Sequence, residues 1–439
     1  MNIFSKKESS VYHIDWFLLS STIIISIIGI VNLVSTKILP TGGLGDLQTV
    51  YKQLLFLLIG FILYFLISKL ELNYLKYWQV LLIIYIVTVA LLVATLLFAP
   101  TINNVKRWLV IGGFQLQASE VAKVTVILIT AAIVSFKDKY NQWLLLLLSF
   151  ILVLPMAILV YLQPNGSIAI LLLSIWGLIS FMGLSNPFRN ILLLIILSLI
   201  AGSFLLSAVL LNPLWYLLLI PASILSIFIY YARDSWRILL ISTLLSGLLI
   251  GVVFSNIWQH VLKDYQKDRI EAFLDPTGTE SDIGFNVNQS RIAIGSGQIF
   301  GKGFGNGTQS KRNFLPEHET DFIFASYAEE FGLVGSLFLI MVYGVIIVIC
   351  LFKSIRTVTN PLLSLLSLGV GLAFLLQIFI NIGTNLGTIP ATGIPLPFMS
   401  VGGSSTIMSL VALGLVQNVH NVVERKLNVK TTEILNIYE

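Results

Sequence analysis

The sequence predicts an all-α polytopic membrane protein, a bundle of roughly ten to twelve transmembrane helices with one large extracellular loop. Three observations carry this. The 439 residues are 56% hydrophobic and 11% charged, against roughly 25% charged in soluble domains, and mean hydropathy is +0.92. Apolar runs long enough to cross a bilayer as helices, about 20 residues each, recur with mostly short links between them. One polar segment, Trp258–Thr320, interrupts the series and ends at Asp321, where the chain turns apolar again.

Twelve spans are expected, at 16–36, 51–69, 76–99, 119–136, 143–162, 167–184, 190–211, 214–231, 236–257, 322–352, 361–382 and 398–419. They divide the chain into an N-terminal bundle (1–257), the loop (258–321), C-terminal helices (322–420) and a tail (421–439). No small-residue cleavage site follows the first span, so it reads as a retained helix. The lone Cys350 excludes an intrachain disulfide and a Cys-ligated metal centre. The net charge of +5 suits anionic lipid headgroups. No basic cluster with interleaved aromatics points to nucleic acid.

With the N-terminus in the cytoplasm, the inner links carry fourteen Lys and Arg. The short outer links carry four: Lys37, Lys52, Lys106 and Arg107. The positive-inside rule therefore puts both termini in the cytoplasm and segment 258–321 outside.

The link at 100–118 places Arg107 beside Trp108, as an interfacial anchor or as a guanidinium fork for an anionic headgroup. Ser119 and Glu120 suit the start of a helix as cap and dipole partner. Lys123 lies one turn further in, on the same face as Glu120. An ammonium facing lipid at mid-depth costs ~2.5–3.5 kcal/mol, so the pair is expected to face a cavity inside the bundle.

The long loop carries Lys267, Arg269, Gln289-Ser290-Arg291, Lys311 and Arg312, with glycines at 295, 297, 301, 303, 305 and 307. No strand precedes the glycines and no Gly-Lys-Ser/Thr ends them, so a nucleotide loop is excluded. They read as permissive turns near the membrane. Glu317-His318-Glu319-Thr320-Asp321 then leads into an apolar helix. Asp321 suits an N-cap; the sharper reading is a partly desolvated general base at the membrane surface. Glu329 and Glu330 lie further in, and carboxylates within a span mark a functional site. His318 is a single candidate ligand for a divalent ion. Gly393, Pro395, Pro397 and Gly402-Gly403-Ser404-Ser405 predict a broken, re-entrant segment near 383–397.

These motifs, in this order, resemble the SEDS family of bacterial cell-wall proteins, closer to its RodA than to its FtsW branch. The matching residues are Lys106-Arg107-Trp108, Gln117 through Glu120 with Lys123, Tyr265 through Pro276, Gln289 through Gly297, and Gly307 through Ser310. Phe314 through Glu317, Thr320 through Phe324, Glu329-Glu330, Gly393 through Phe398 and Gly402 through Ser405 complete the set. The chain departs from the pattern at Ala118, at His318-Glu319 and at Val401. The stretch 190–257 holds two spans more than the family's usual ten.

The resemblance implies a peptidoglycan glycosyltransferase that polymerises lipid II on the outer membrane face, with Asp321 in the place of the family's essential aspartate. Arg107, Trp108, Glu120, Lys123, Lys267, Arg269, Gln289, Ser290, Lys311, Glu317, Glu329, Glu330 and Ser404 are the candidate substrate contacts. A divalent cation, magnesium or manganese, is a candidate cofactor. A class B penicillin-binding protein and the elongation or division machinery are the expected partners. Intramembrane charges also suit a lipid flippase, and an inactive scaffold for a transpeptidase is a third reading.

Overall fold

The computed structural model describes residues 12–38, 43–101, 105–112, 114–184, 269, 273, 282–311 and 317–438. The chain divides into two units, Met1–Leu184 with Ala272–Glu439, and Ser185–Glu271. Of the second, Arg269 alone is among the described residues. Lys267 and the spans expected at 190–211, 214–231 and 236–257 lie outside them.

The larger unit contains α1 (Trp16–Thr36), α2 (Gln48–Ile67), α3 (Trp78–Phe98), the strands β1 (Leu109–Ile111) and β2 (Phe114–Leu116), α4 (Ala118–Val134), α5 (Gln142–Leu162) and α6 (Gly166–Gly183). It continues with α7 (Asp282–Gly297), the single turn α8 (Thr308–Lys311), α9 (Ile323–Arg356), α10 (Pro361–Asn385) and α11 (Gly403–Tyr438). Among the described residues, eight helices are long and apolar enough to cross a membrane. The protein is a multi-pass membrane protein, and nine of the expected spans fall on helices once α4 is included.

Helix α4 lies at the centre. It is apolar on nearly every side and almost wholly buried, as a helix surrounded by others must be. Helices α3, α5, α6, α10 and α11 pack around it. Any polar residue on α4 therefore faces protein.

Helix α9 has 34 residues, about 50 Å at 1.5 Å per residue, well beyond the ~30 Å hydrocarbon core. The excess is explained by a break at Gly332, with φ 66° and ψ −163°. The backbone groups freed there are taken by the glycine turn that follows α7. Lys302 and Gly303 donate their N–H groups to the Glu329 and Glu330 carbonyls at 3.0 and 2.9 Å. Leu333 and Val334 donate to Gln298 and Ile299 at 2.9 and 3.1 Å. Gly301 has φ 79°, and a Cβ there would lie 2.1 Å from the Glu330 oxygen. The glycines permit a backbone-to-backbone seam, and the first part of α9 becomes a buried half-helix.

Two elements were not expected. Segment 258–321 contains α7, whose Ala293 and Gly297 pack on α9 while Ser290 meets α10; Ser290 and Ala293 are fully buried. Small residues let backbones approach closely. The link after α3 folds into an antiparallel hairpin pairing Leu109 with Leu116 and Ile111 with Phe114. Between α10 and α11 the chain is non-helical over 386–402, where a break was expected, with Ile394, Leu396, Phe398 and Met399 buried.

The far end of the bundle is closed by a different polar group. Asp15 caps α1 by accepting the Leu18 N–H and pairs with Lys353 at 2.8 Å. Burial pushes the Asp15 carboxyl up, but the Lys353 hydrogen bond and charge outweigh this and hold it below the usual carboxylate range.

Candidate functional site

One end of the bundle gathers motifs from distant parts of the sequence. Ser404, at the start of α11, donates to the Gln115 carbonyl at 3.0 Å and accepts the Gln117 N–H at 2.9 Å. Ser400 donates to the Thr320 carbonyl at 2.6 Å, and the Val401 N–H reaches Glu319 at 2.9 Å. Gln53 of α2 donates to Thr406 at 2.8 Å. Lys37, just after α1, pairs with Glu319. The starts of α4, α9 and α11 and the end of α1 thus meet around the turn 317–322.

Glu120 and Lys123 form an ion pair at 2.7 Å, and Lys123 Nζ also donates to Gln377 Oε1 of α10 at 2.7 Å. Glu120 is 0% and Lys123 5% exposed. They line a cavity of about 20 Å³ with Phe374, Gln377, Met408 and Ser409, room for one water. The pair faces the bundle interior, as its charge demands. Ser119 is not the cap of α4: the N-cap is Gln117, which offers no side-chain bond, and Ser119 sits buried in the first turn. Arg107 is half-buried and its guanidinium donates to the Pro164 carbonyl, which ties the α3–α4 link to the turn between α5 and α6. Trp108 is half-buried beside it.

Asp321 lies at the rim, partly exposed, in the last turn before α9. The N-cap of α9 is Phe322 and gives no side-chain hydrogen bond. The Ala325 N–H is shared between the Phe322 carbonyl and the side chain of Asn385, whose Oδ1 accepts it, each at 3.1 Å. Capping of α9 is therefore supplied by α10, which the sequence alone did not indicate.

Several candidate contacts have structural work instead. Glu329 is fully buried. Its carboxylate accepts from Lys302 Nζ at 2.6 Å, from the Thr308 N–H and hydroxyl at 2.9 and 2.8 Å, and from the Gln309 N–H at 3.2 Å. The glycine turn does cradle an anion, and the anion is the chain's own. Glu330, 1% exposed, accepts the Ser35 hydroxyl at 2.5 Å and so ties α1 to α9. Ser290 donates to the Asn385 carbonyl at 2.8 Å. In this conformation the polar groups of these three are engaged by the chain's own partners: the loop, α1 and α10 needed buried partners, and the sequence placed the residues without showing what they meet. Gln289 is half-buried on α7 and Glu317 is exposed, bonding Thr320 at 2.6 Å. Lys311 closes α8.

Two departures from the family pattern become intelligible. Glu319 answers Lys37, and Val401 contributes its backbone N–H, which any side chain permits. Among the described residues no three His, Cys, Asp or Glu side chains converge to hold a metal ion. His318 has Glu319 beside it at 3.7 Å, and Glu319 is already paired with Lys37. The described donors do not fit a metal centre.

The FTSW_RODA_SPOVE cell cycle protein family model matches residues 13–215 and 209–425. Peptidoglycan glycosyltransferase MrdB of Escherichia coli K12 is 32% identical over 77% of this chain and 76% of its own length. Peptidoglycan glycosyltransferase RodA of Treponema pallidum is 30% identical over 92% and 97%. Probable peptidoglycan glycosyltransferase FtsW of Enterococcus hirae is 31% identical over 96% and 98%. A chain from a solved peptidoglycan synthase complex, described as coordinating polymerization and crosslinking, matches with TM-score 0.65 and 25% identity, covering 93% of this chain and 98% of its own. The crystal structure of Thermus thermophilus RodA has TM-score 0.58 at 24% identity and supports the fold. With two matches that together run from residue 13 to residue 425, the chain belongs to the FtsW/RodA/SpoVE family of cell cycle proteins, the SEDS family.

Proposed function

We propose that this protein is a peptidoglycan glycosyltransferase that joins lipid II into glycan strands on the outer face of the cytoplasmic membrane. The observation that carries the reading is convergence. Motifs from the α3–α4 link, the turn before α9 and the 386–405 segment meet at one end of the bundle, with Asp321 at its rim. Relatives aligned over most of this chain bear that activity in their names.

Asp321 takes the proton from the acceptor sugar's 4-hydroxyl as that oxygen attacks the donor's anomeric carbon. The bond to the lipid pyrophosphate breaks with inversion, and the pyrophosphate departs with the electron pair. One base suffices for such a displacement. Arg107 and Lys123 bring positive charge toward the leaving phosphates, and Glu120 keeps the Lys123 ammonium paired at a depth where an isolated charge is costly. The groove between α1 and α2, about 250 Å³ and lined by Ile27, Ile30, Leu54, Leu57 and Phe61, suits a length of polyprenyl tail. No step is routed through a metal. The partner is a class B penicillin-binding protein, in keeping with the synthase complex whose chain shares this fold.

Purified protein given labelled lipid II should yield glycan polymer on a gel, and Asp321→Asn should cut the rate ~10²-fold or more with the protein still folded. Near-wild-type polymer from that variant would refute the assignment of the base; lipid crossing the bilayer without polymer would favour a flippase. Sidedness has its own test. Cys350 is buried, so Asn306→Cys should react with an impermeant thiol reagent from outside and Asp138→Cys should not. Both positions are exposed.

A further inference from the structure

We propose that Asn385 and Asn381, one turn apart on α10, are positioning residues for Asp321: they hold its backbone, and Asn385 takes over the capping of α9. This rests on Asp321 acting as the general base. The first N–H groups of a helix need partners, normally an N-cap side chain. Phe322 has no capping side chain and offers the Ala325 N–H only its carbonyl, at 3.1 Å; the side-chain acceptor is Asn385 Oδ1, also at 3.1 Å. That bond fixes the orientation of the amide. Its Nδ2 then donates to the Asp321 carbonyl at 3.0 Å and to the Asn381 carbonyl at 2.9 Å. Asn381 Nδ2 donates to the same Asp321 oxygen at 3.0 Å and to Ile394 at 2.9 Å. One carbonyl thus receives two amide donors from α10.

The two preceding carbonyls are held as well, Thr320 by the Ser400 hydroxyl and Glu319 by the Val401 N–H. Three successive carbonyls before α9 are each engaged by residues 381–401. Behind them, Ser290 of α7 holds the Asn385 carbonyl. Asn385 is 0% and Asn381 1% exposed. Burying two primary amides is unfavourable unless their donors are used, and here they are used on the residue that carries the base. Displacing a reacting group by about 1 Å costs on the order of 10²-fold in rate, which gives such a clamp its value.

The test is a double-mutant cycle. Asn385→Ala and Asn381→Ala are made in the wild type and in Asp321→Asn, and lipid II polymerisation is resolved into kcat and KM. In the wild type each should lower kcat by ~10-fold or more with KM for lipid II within about twofold. In Asp321→Asn the same changes should cost less than about twofold, because they act through a carboxylate no longer present. A full loss repeated in that background, or an effect on KM alone, would overturn the proposal while leaving the base assignment intact. Near-wild-type activity of Asp321→Asn by itself overturns the base assignment instead. Asn381→Ala spares the Ala325 cap and stays readable if Asn385→Ala does not fold. Loss of folded protein in both variants would assign the pair to the fold alone and overturn the proposal.

Discussion

Lys123 and Glu120 stand one turn apart on the most enclosed helix of the bundle, 2.7 Å from each other, with Gln377 of α10 as the second partner of the ammonium. Removing either charge leaves the other buried. Lys123→Met should therefore destabilise the protein by ~3–5 kcal/mol. Adding Glu120→Gln should restore most of the melting temperature without restoring polymerisation. Recovery of activity in the double variant would show that the pair serves packing only.

Glu329 gives a second, structural, prediction. Its carboxylate collects donors from Lys302, Thr308 and Gln309, so Glu329→Ala strands them all. A cost of ~3–5 kcal/mol follows, together with faster protease cleavage in the 301–309 turn. Unchanged protection of that turn would mean the bonds contribute little.

Glycine positions separate by geometry. At Gly301, φ is 79° and a Cβ would fall 2.1 Å from the Glu330 carbonyl oxygen. Gly301→Ala should cost at least ~1–3 kcal/mol in backbone strain alone, with the clash added. Gly295 lies within helix α7 and a Cβ there meets nothing within 4 Å. Gly295→Ala should be neutral or stabilising by up to ~1 kcal/mol. Thermal melts of the two purified variants check both.

Acid sensitivity is predicted at the opposite end of the bundle. The folded Asp15 carboxyl lies below its ordinary range because Lys353 outweighs the effect of burial. A depressed carboxyl contributes stability that is present above the unfolded pKa, about 3.9, and is lost as pH falls through the folded value. Asp15→Asn should thus melt lower than the wild type near neutral pH, and the gap should narrow as pH falls below about 4. A gap that stays constant down to low pH would show that the pairing is not the cause.

Composition and apolar run length were enough to identify the spans that fall on described helices, because the hydrocarbon core imposes one length and one polarity on every crossing. Nine expected spans fall on helices, and the cost of a buried charge correctly turned Glu120 and Lys123 toward the interior. The break at Gly332 was not legible, since the residue lies in an apolar run and only the facing turn 298–303 can satisfy the groups it frees. Helix α7 was missed for a related reason: its buried face is made of small residues, whose value appears only when another backbone comes close. Glu329 and Glu330 could be flagged as costly but not assigned, because residue type does not reveal that the glycine turn and Ser35 are waiting for them. The capping of α9 by Asn385, sixty residues on from Ala325, is the clearest case. Local sequence determines which positions can bond, and only the packing of α10 against α9 decides which of them do.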